Sequence, residues 1–479
     1  MDRTYMDRRQ FLKCGAVGVG AITVAAGGEE KSMVASTSNI GAGRVENWAG
    51  NISYVPKSVE FPRSLAALQL AVANSKKVRV IGSVHSFNAF TETADTVISL
   101  DNLNRVLSVD VEQKLVKVEG GCKLALLTQA LESRDLCLPS LGDIDEQTVG
   151  GLVSTGTHGT GMQWGSFSDS TVLAGLDLVL ADGSLLSLND DGVEIEFLKA
   201  ARLALGGLGV VYSVTFRCEP AHNLELKSKV VSLSEALSVE SYQKNDHYEF
   251  FHFPFTKKCQ IITRNKTDLP LTKNRFGQWF NNVVMENLVL GSLLEASAMR
   301  PRSIRKVMAL ITRLAGSERY VAGSAKVMSS KRFVKFYEME YCLPIDKASE
   351  ALQALAETAE RFAKGTEPFY QSFPTEVRFI RGDQGNLLTP TIGRDSVYIA
   401  VQSHKAFGNG YPAFFKAAED IFRSLDGRPH WAKLFYRNPI TLYENAERFV
   451  SVRNELDPSG KFLNKLFTKM LAGEPYPFS

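Results

Sequence analysis

A glycine-rich run in the first third of the chain most constrains what this sequence can fold into. The run Thr148–Gly161 reads TVGGLVSTGTHGTG and holds five glycines and four threonines. Glycine adopts backbone conformations closed to other residues and lets the backbone approach another group closely, so this run does not suit a long regular element. The pattern indicates a loop built around a ligand, with a set of bare turns as the alternative.

A second loop follows a short strand earlier in the chain. Residues 80–87 read VIGSVHSF, and Lys77–Ile81 has the residue types of a strand. A strand that ends in Gly82 and Ser83 leaves backbone N–H groups free, and such a concave set of donors suits a pyrophosphate. The two loops together favour a bound flavin or nucleotide, although a single histidine such as His85 is more often structural.

The composition narrows the class of protein. The 479 residues include 55 Lys and Arg against 52 Asp and Glu, a net charge of +3 that is too even for the basic surface of a nucleic-acid-binding protein. A chain of this length exceeds one ordinary core, so two domains are expected. Six cysteines without close pairs indicate neither a disulfide framework nor a metal site.

The N-terminus has the pattern of an export signal. Arg8 and Arg9 are followed by Phe11-Leu12-Lys13, and Gly15–Ala26 is an uncharged apolar run rich in glycine and alanine. The run is shorter than the roughly 20 residues of a membrane-spanning helix, which favours a cleaved twin-arginine signal over a retained anchor. We therefore expect residues 1–40 to be a signal peptide and leader, and the twin-arginine machinery to export the protein to the periplasm or the extracellular side.

Helix and strand patterns alternate along the rest of the chain and predict an α+β fold. Apolar spacing predicts helices over 58–74 and 123–134. Glycine loops become rare after residue 226, where we place a second domain. There, 278–315 is predicted as an amphipathic helix broken near Pro301, which suits core or dimer packing better than a membrane surface. The predicted strands of the first half are 77–81, 96–100, 106–109, 115–118, 172–180, 185–188 and 210–217.

Several common cofactor and catalytic motifs are absent from the sequence. Gly207–Tyr212 lacks the last glycine of a dinucleotide fingerprint and runs into a strand, so NAD is not favoured. The sequence contains no H-E-x-x-H, paired C-x-x-C, G-x-S-x-G or Walker A pattern, which argues against zincins, hydrolases with that elbow and P-loop enzymes.

Two later segments carry groups suited to catalysis. In the predicted strand Thr375–Ile380, alternation places Glu376 and Arg378 on one face, either as part of a site or as a solvated ion pair of little energy. Near the end, Gly427–Lys433 concentrates two basic residues, an imidazole and an indole in seven positions. That density indicates a site rather than an ordinary surface.

These segments, in this order and spacing, resemble one family from about residue 45 to the end. The two loops, the Glu376-x-Arg378 pair and the string Arg428–Lys433 are similar to the aldonolactone oxidase and alditol oxidase group of the vanillyl-alcohol oxidase superfamily. Met339–Pro344 and Asp457–Asn464 also resemble that group. The resemblance implies a two-domain vanillyl-alcohol-oxidase-type fold that binds FAD.

The resemblance also implies domain bounds and the residues around the cofactor. Residues 41–225 are expected to form the FAD-binding domain, 226–444 the substrate (cap) domain, and 445–479 a segment that returns to the FAD domain. FAD is expected to be attached covalently through His85, although Val84 stands where several relatives have glycine. The residues expected around FAD are Val80, Ile81, Gly82, Ser83, Val84, His85, Ser86, Thr148, Val153, Ser154, Thr155, Gly156, Gly159, Thr160, Gly161 and Val211.

The resemblance places four residues beside the substrate. These are Thr148, Glu376, Arg378 and Lys433, and the last three are expected to be catalytic. A further substrate contact is expected after Val397, from Ser403 or His404.

The expected reaction is oxidation of a small polyol or sugar-1,4-lactone. A substrate carbon delivers hydride to the flavin, Arg378 and Lys433 stabilise the developing alkoxide, and Glu376 orients the hydroxyl or Arg378. Electrons then pass to O2, giving hydrogen peroxide, or to a quinone or cytochrome of the membrane. A flavin-binding protein without turnover is the alternative from a different class, and the presence of these three side chains argues against it.

Overall fold

The computed structural model describes residues 40–41, 43–190, 192, 194–273, 290–329 and 334–475. The paired-arginine segment and its apolar run lie outside the described residues. The strands are β1 (Ile40–Gly41), β2 (Arg44–Glu46), β3 (Ser53–Tyr54), β4 (Ser58–Glu60), β5 (Val78–Ile81), β6 (Thr96–Ser99), β7 (Val106–Asp110), β8 (Leu115–Glu119), β9 (Leu136–Cys137), β10 (Leu173–Val179), β11 (Leu185–Asn189), β12 (Val210–Arg217), β13 (Glu219–Pro220), β14 (Asn223–Ser232), β15 (His247–His252), β16 (Lys258–Thr267), β17 (Glu318–Gly323), β18 (Phe336–Pro344), β19 (Thr375–Ile380), β20 (Ser396–His404) and β21 (Arg428–Pro429).

Helices connect these strands. The α-helices are Leu65–Asn74, Leu124–Glu132, Val149–Thr155, Ile195–Ala201, Leu233–Ala236, Val239–Gln243, Leu290–Ala298, Ile304–Leu314, Ser324–Met328, Ala348–Ala363, Tyr411–Ser424, Ala446–Leu456 and Lys465–Leu471. Short 3-10 helices lie at Ala89–Thr91, Pro301–Ser303, Ile345–Lys347, Lys405–Gly410 and Ile440–Leu442. The mixture confirms the α+β class.

Strands from the first half of the chain form, among others, a sheet of three strands and a sheet of five. Strands β4, β6 and β5 pair in parallel in that order, whereas the five-stranded sheet β11-β10-β12-β8-β7 is antiparallel throughout. Alternate residues of β8 and β12, such as Val116, Val118, Val214 and Phe216, are fully buried in the main core. The loop at residues 82–86 begins where β5 ends.

An eight-stranded antiparallel sheet forms most of the second half. Its order is β17-β14-β16-β15-β19-β20-β18-β21, so β19, β20 and β18 lie side by side. Every residue of β19 and β20 is buried, because both faces of this part of the sheet are covered. The helices Ala348–Ala363 and Tyr411–Ser424 pack against each other, and the second contacts β18.

The C-terminal residues pack beside the first parallel strands. The backbone N–H of Val78 donates to Lys461 O at 3.0 Å, and the buried Arg79 guanidinium donates to Phe462 O at 2.5 Å. Phe462 is fully buried in one apolar cluster with Val78. The described residues form one compact unit. Within it, the domain bounds expected from the sequence stay a prediction.

The predicted helix over 58–74 is wrong in its first third. Strand β4 occupies that part and pairs with β6, and the helix is confined to Leu65–Asn74. Pro62 lacks the N–H that a helix interior needs, and Ser64 caps the real helix by accepting a hydrogen bond from Ala67 N at 3.2 Å.

The amphipathic segment near Pro301 is broken as the sequence predicts. Its described part consists of the helices Leu290–Ala298 and Ile304–Leu314, joined through a 3-10 turn, whereas 278–289 lies outside the described residues. Among the helices described, none combines the length and the apolar character needed to cross a bilayer.

Candidate active site

A cleft opens where β5 ends. The helix Val149–Thr155 begins on its other side, so the loop predicted over Thr148–Gly161 is wrong in its first half. The glycines of that half lie within the helix, and Gly156 ends it with a φ of +68°. Residues that the sequence did not single out also line the cleft, among them Gly120, Gln147 and Gly206. Of the residues predicted around FAD, the cleft is lined by Val80, Ile81, Gly82, Ser83, Val84, His85, Ser86, Thr148, Ser154, Thr155 and Val211.

Backbone geometry explains the residue types in the loop 82–86. A Cβ on Gly82 would lie 2.1 Å from Oγ1 of Thr148, so the loop and the start of the helix can approach this closely only with glycine there. Val84 has a φ of +53°, a left-handed conformation that strains a β-branched residue. Such strain persists where the surrounding structure fixes it, here directly before His85.

The same loop offers hydrogen-bond donors to a ligand. Within the part of the chain that the structure describes, the backbone N–H groups of residues 83–86 donate to no protein acceptor. Free N–H groups that line a cleft suit phosphate oxygens. The residues present therefore fit the pyrophosphate of FAD.

His85 lies between this cleft and a second one, and it lines both. Its ring stacks on Trp48 with centroids 5.7 Å apart, and its Nε2 lies 3.7 Å from the Glu146 carboxylate. A residue bonded to the flavin ring suits such a junction, because the ribityl chain separates the ring from the pyrophosphate along the cofactor. Covalent attachment itself stays a prediction.

Five residues predicted around FAD lie outside the lining of the first cleft: Val153, Gly156, Gly159, Thr160 and Gly161. The last two instead join the glycine run to the eight-stranded sheet. Thr160 Oγ1 donates to Tyr248 O, and Gly161 N donates to Phe379 O at 2.7 Å. These bonds attach the end of the glycine run to β15 and β19, and β19 is the strand that carries Glu376. Direct contact of these five residues with FAD stays a prediction.

The second cleft lies against β18, β19 and β20. Strand alternation brings every second side chain to it, and the loop after β21 closes one side. Its central polar side chains are Glu338, Glu340, Glu376, Arg378, Gln402 and Lys433. The structure therefore brings together all three side chains predicted to be catalytic.

Two predicted substrate-side contacts are placed differently. Thr148 lines only the first cleft, which is the one predicted to hold FAD and is called the FAD cleft below. Its neighbour Gln147 lines both clefts. The strand after Val397 contributes Gln402 rather than Ser403, which alternation along β20 turns to the other face. His404 shares the face of Gln402 but does not line the cleft.

Arg378 is buried among carboxylates. Its guanidinium pairs with Asp143 and lies 2.5 Å from Glu376 and 3.3 Å from Glu249, and Glu249 also pairs with Arg264 at 2.8 Å. Burial would lower the pKa of Arg378, but these carboxylates hold it well above its usual range. The solvated-face alternative for this strand is therefore wrong, since Glu376 and Arg378 form a buried pair.

Lys433 pairs with Glu338, whose other carboxylate oxygen accepts a hydrogen bond from Gln402 at 2.9 Å. The Lys433 ammonium also lies 5.3 Å from the centre of the Phe87 ring. Burial would lower the pKa of Lys433, but the carboxylates of Glu338 and Glu340 raise it above its ordinary value. The cleft thus holds a second fixed cation.

A buried cluster of His158, Glu340 and His430 lies beside this cation. His158 Nε2 is 3.3 Å from Glu340, and its ring stacks on Tyr398 with centroids 3.7 Å apart. Burial would raise the pKa of Glu340, but His158 and Lys433 hold it well below its usual range. Burial lowers the pKa of His430 to about 3, so Glu340 is ionised beside a neutral imidazole.

Sequence reasoning did not assign Asp143, Glu249, Glu338, Glu340 or Gln402 to the site. The two carboxylates of β18 left a signal, because Glu338-x-Glu340 puts two charges on one face of an otherwise apolar strand. Asp143 and Glu249 could not be recognised from any sequence pattern. Their role depends on contacts with Arg378, which lies in a distant part of the chain.

Comparison with known families decides the identity. Residues 57–189 match the FAD binding domain model, and residues 214–470 match the D-arabinono-1,4-lactone oxidase model, which covers more than half of the chain. The chain belongs to the D-arabinono-1,4-lactone oxidase family. It is an FAD-dependent oxidoreductase that acts on CH–OH groups, which confirms the resemblance and the cofactor expected from the sequence.

Members of this oxidase family and one fold relative cover nearly the whole chain. The L-gulono-1,4-lactone dehydrogenase of Mycobacterium tuberculosis is 35% identical over 434 residues, 89% of this chain and 98% of that protein. The L-gulonolactone oxidase of Scyliorhinus torazame is 33% identical, over 88% of this chain and 97% of that protein. The crystal structure of cholesterol oxidase from B. sterolicum, 15% identical, has a TM-score of 0.72 and covers 90% of this chain and 96% of that one, which confirms the fold.

Proposed function

We propose that the protein oxidises a hydroxyl group of an aldono-1,4-lactone and that O2 is the final electron acceptor. The proposal rests on one observation: the cleft that holds Arg378 and Lys433 as fixed cations meets the FAD cleft at His85. When bound, FAD accepts hydride from the substrate carbon and passes two electrons to O2, giving hydrogen peroxide. The lactone names of the relatives support the substrate class.

The side chains of the cleft control the substrate hydroxyl. As its proton departs to solvent, the hydroxyl oxygen gains negative charge, and loss of hydride from the carbon then leaves a carbonyl. Arg378 and Lys433 stabilise that charge because both remain cationic, Arg378 in a buried setting and Lys433 in a partly buried one. Glu376 fixes the guanidinium from 2.5 Å and offers its carboxylate to the hydroxyl.

The charge of the cleft favours a neutral, hydroxyl-rich substrate over an anion. Its acidic lining residues outnumber Arg378 and Lys433, and both cations already have carboxylate partners. A sugar acid would therefore meet excess negative charge, whereas the hydroxyls of a lactone find donors and acceptors. The acidic lining residues are Asp143, Glu146, Glu338, Glu340 and Glu376.

Anaerobic mixing of the holoenzyme with candidate substrates tests the proposal. L-Gulono-1,4-lactone or D-arabinono-1,4-lactone should bleach the flavin absorbance at least about tenfold faster than the matching sodium aldonates or the alditols xylitol and sorbitol. Faster bleaching by an alditol would move the substrate class to polyols. No bleaching by either lactone would contradict the proposal.

The electron acceptor is tested in the same sample. Admitting air should restore the absorbance and release one peroxide per flavin reduced. Recovery only after a quinone is added would instead support the dehydrogenase alternative, the activity named for the Mycobacterium tuberculosis relative.

The role of Lys433 is tested by Lys433→Met. This variant should keep its flavin spectrum but bleach about two to three orders of magnitude more slowly, because one stabilising charge is lost. Lys347→Met, at a half-exposed lysine paired with Glu350, is the control and should bleach at the wild-type rate.

We further propose covalent attachment of FAD through His85 and export of the precursor by the twin-arginine route. The position of His85 at the junction of the clefts supports the first. Arg8, Arg9 and the apolar run Gly15–Ala26 support the second.

A further inference from the structure

Glu338 stands at the centre of a short chain of polar contacts in the substrate cleft. It lies on β18 directly opposite Gln402 of β20 in the antiparallel register. One oxygen of its carboxylate accepts from Gln402 Nε2 at 2.9 Å, and the other pairs with Lys433 Nζ. Glu338 is 4% exposed, so both oxygens are satisfied by these protein donors rather than by bulk water.

The main chain of β18 also places the segment that carries Lys433. Lys433 follows β21 in an irregular stretch, where no strand ladder fixes it. Leu434 N donates to Glu338 O at 3.0 Å, and His430 N donates to Glu340 O at 2.9 Å. The strand thus holds the backbone of this segment, and the Glu338 side chain holds the ammonium.

The surroundings of Lys433 show why a carboxylate is needed. Its charged and titratable neighbours are Glu338 and Glu340 of β18, Glu376 of β19 and His430 of its own segment. Of the carboxylates, Glu340 is engaged by His158 and Glu376 by Arg378, which leaves Glu338 as the direct partner. A buried ammonium without such a partner loses its proton readily, and a neutral amine cannot stabilise an alkoxide.

We propose that Glu338 is a positioning residue that keeps Lys433 in the cleft as an ammonium, and that Gln402 holds Glu338 in the orientation required. This inference rests on the proposed function, in which Lys433 stabilises the oxygen of the reacting hydroxyl. Glu338 does not itself accept the substrate proton, because both of its oxygens already accept hydrogen bonds.

The direct test measures the protonation of Lys433 without turnover. Wild-type and Glu338→Gln holoenzyme are labelled with trace acetic anhydride across a pH series, and the labelling of each lysine is read by peptide mass spectrometry. We expect the midpoint for Lys433 to fall by at least about one pH unit in the variant. Lys347 is the internal reference, and Glu350→Gln, which removes its surface partner 3.5 Å away, is the matched control that should leave Lys433 unchanged. An unchanged Lys433 midpoint in Glu338→Gln overturns the inference.

The pH profile for lactone oxidation supplies the second readout. In Glu338→Gln the alkaline limb of kcat/KM should move to lower pH by the same amount as the labelling midpoint, whereas a merely structural defect would scale the profile down without moving it. Glu338→Asp keeps the charge and should keep the limb in place while lowering the rate. If the labelling midpoint moves but no lactone is oxidised by the wild type, the proposed function fails and the positioning role of Glu338 stands.

A folding defect does not leave the inference untested. Should Glu338→Gln yield no flavin-containing protein, Gln402→Met replaces it, since this change removes the donor to Glu338 and keeps a similar side-chain volume. The Lys433 midpoint should then fall by at least about half a pH unit. A midpoint equal to that of the wild type would again overturn the inference.

Discussion

Arg378→Ala removes the guanidinium that holds together two buried carboxylates, Glu249 and Glu376, and the partly buried Asp143. Oxygens of Asp143, Glu249 and Glu376 lie within 4.8 Å of one another. Arg264 still pairs with Glu249 at 2.8 Å, so the guanidinium is lost mainly as the partner of Asp143 and Glu376. Two unit charges about 5 Å apart repel by about 3 kcal/mol at an effective dielectric constant of about 20. With the lost ion pairs, we expect the variant to lose about 3–5 kcal/mol of unfolding free energy.

This loss should shrink at acid pH. In the variant the ionised carboxylates are disfavoured in the fold, so protons that bind them as the pH falls relieve the repulsion, and the deficit relative to wild type decreases. Urea unfolding followed by tryptophan fluorescence at about pH 8 and about pH 5 measures it. Tryptophan is preferred to flavin as the reporter because loss of FAD would otherwise be counted as unfolding.

Arg305→Ala is the matched control, since Arg305 forms a two-bond pair with Glu360, 2.8 Å each, at the surface. It should cost at most about 1 kcal/mol and show little pH dependence. Adding Glu376→Gln to Arg378→Ala should restore part of the stability. Equal losses for the two arginine variants, or a loss from Arg378→Ala that does not shrink toward acid, would refute the reasoning.

Three further predictions concern the cofactor, the pH dependence of stability and export. Acid precipitation of wild-type protein should leave flavin in the pellet and a flavin-bearing tryptic peptide around His85, whereas His85→Ala should release all of its colour. Burial, with Asp169 nearby, raises the pKa of Asp383 to about 7, so Asp383 should add a downward slope to the unfolding free energy as the pH rises from about 4 to about 7. In urea unfolding, Asp383→Asn should flatten that slope, and an unchanged slope would place the titration elsewhere. Replacing Arg8 and Arg9 with lysine should leave the precursor in the cytoplasm on cell fractionation, and undiminished export would exclude the twin-arginine route.

Local patterns predicted much of the secondary structure. Strand β12 spans the residues expected, Val210–Arg217, and β19 spans Thr375–Ile380, because their apolar alternation is strong and their ends are clear. The helix predicted over 58–74 failed at its start. There the apolar spacing of a strand and of a helix look alike over a few residues, and pairing of β4 with β6 decided the outcome.

The site was predicted unevenly for a related reason. Glu376 and Arg378 could be placed on one face because alternation within a strand is local. Their burial could not be predicted, since it depends on the elements that cover the sheet on both sides. Gln402 was missed because the choice between it and Ser403 depends on which face of β20 meets the cleft.

The sequence by itself determined the α+β class, the loop after β5, the family resemblance and the set of cationic side chains. These follow from short-range rules of backbone conformation and from motif order, which do not require knowledge of neighbours. Only the tertiary structure decided that Asp143 and Glu249 neutralise Arg378, that Glu338 and Gln402 hold Lys433, and that His85 joins two clefts. Those contacts join segments far apart in the chain, and strand register and packing, which are properties of the whole fold, bring them within hydrogen-bond distance.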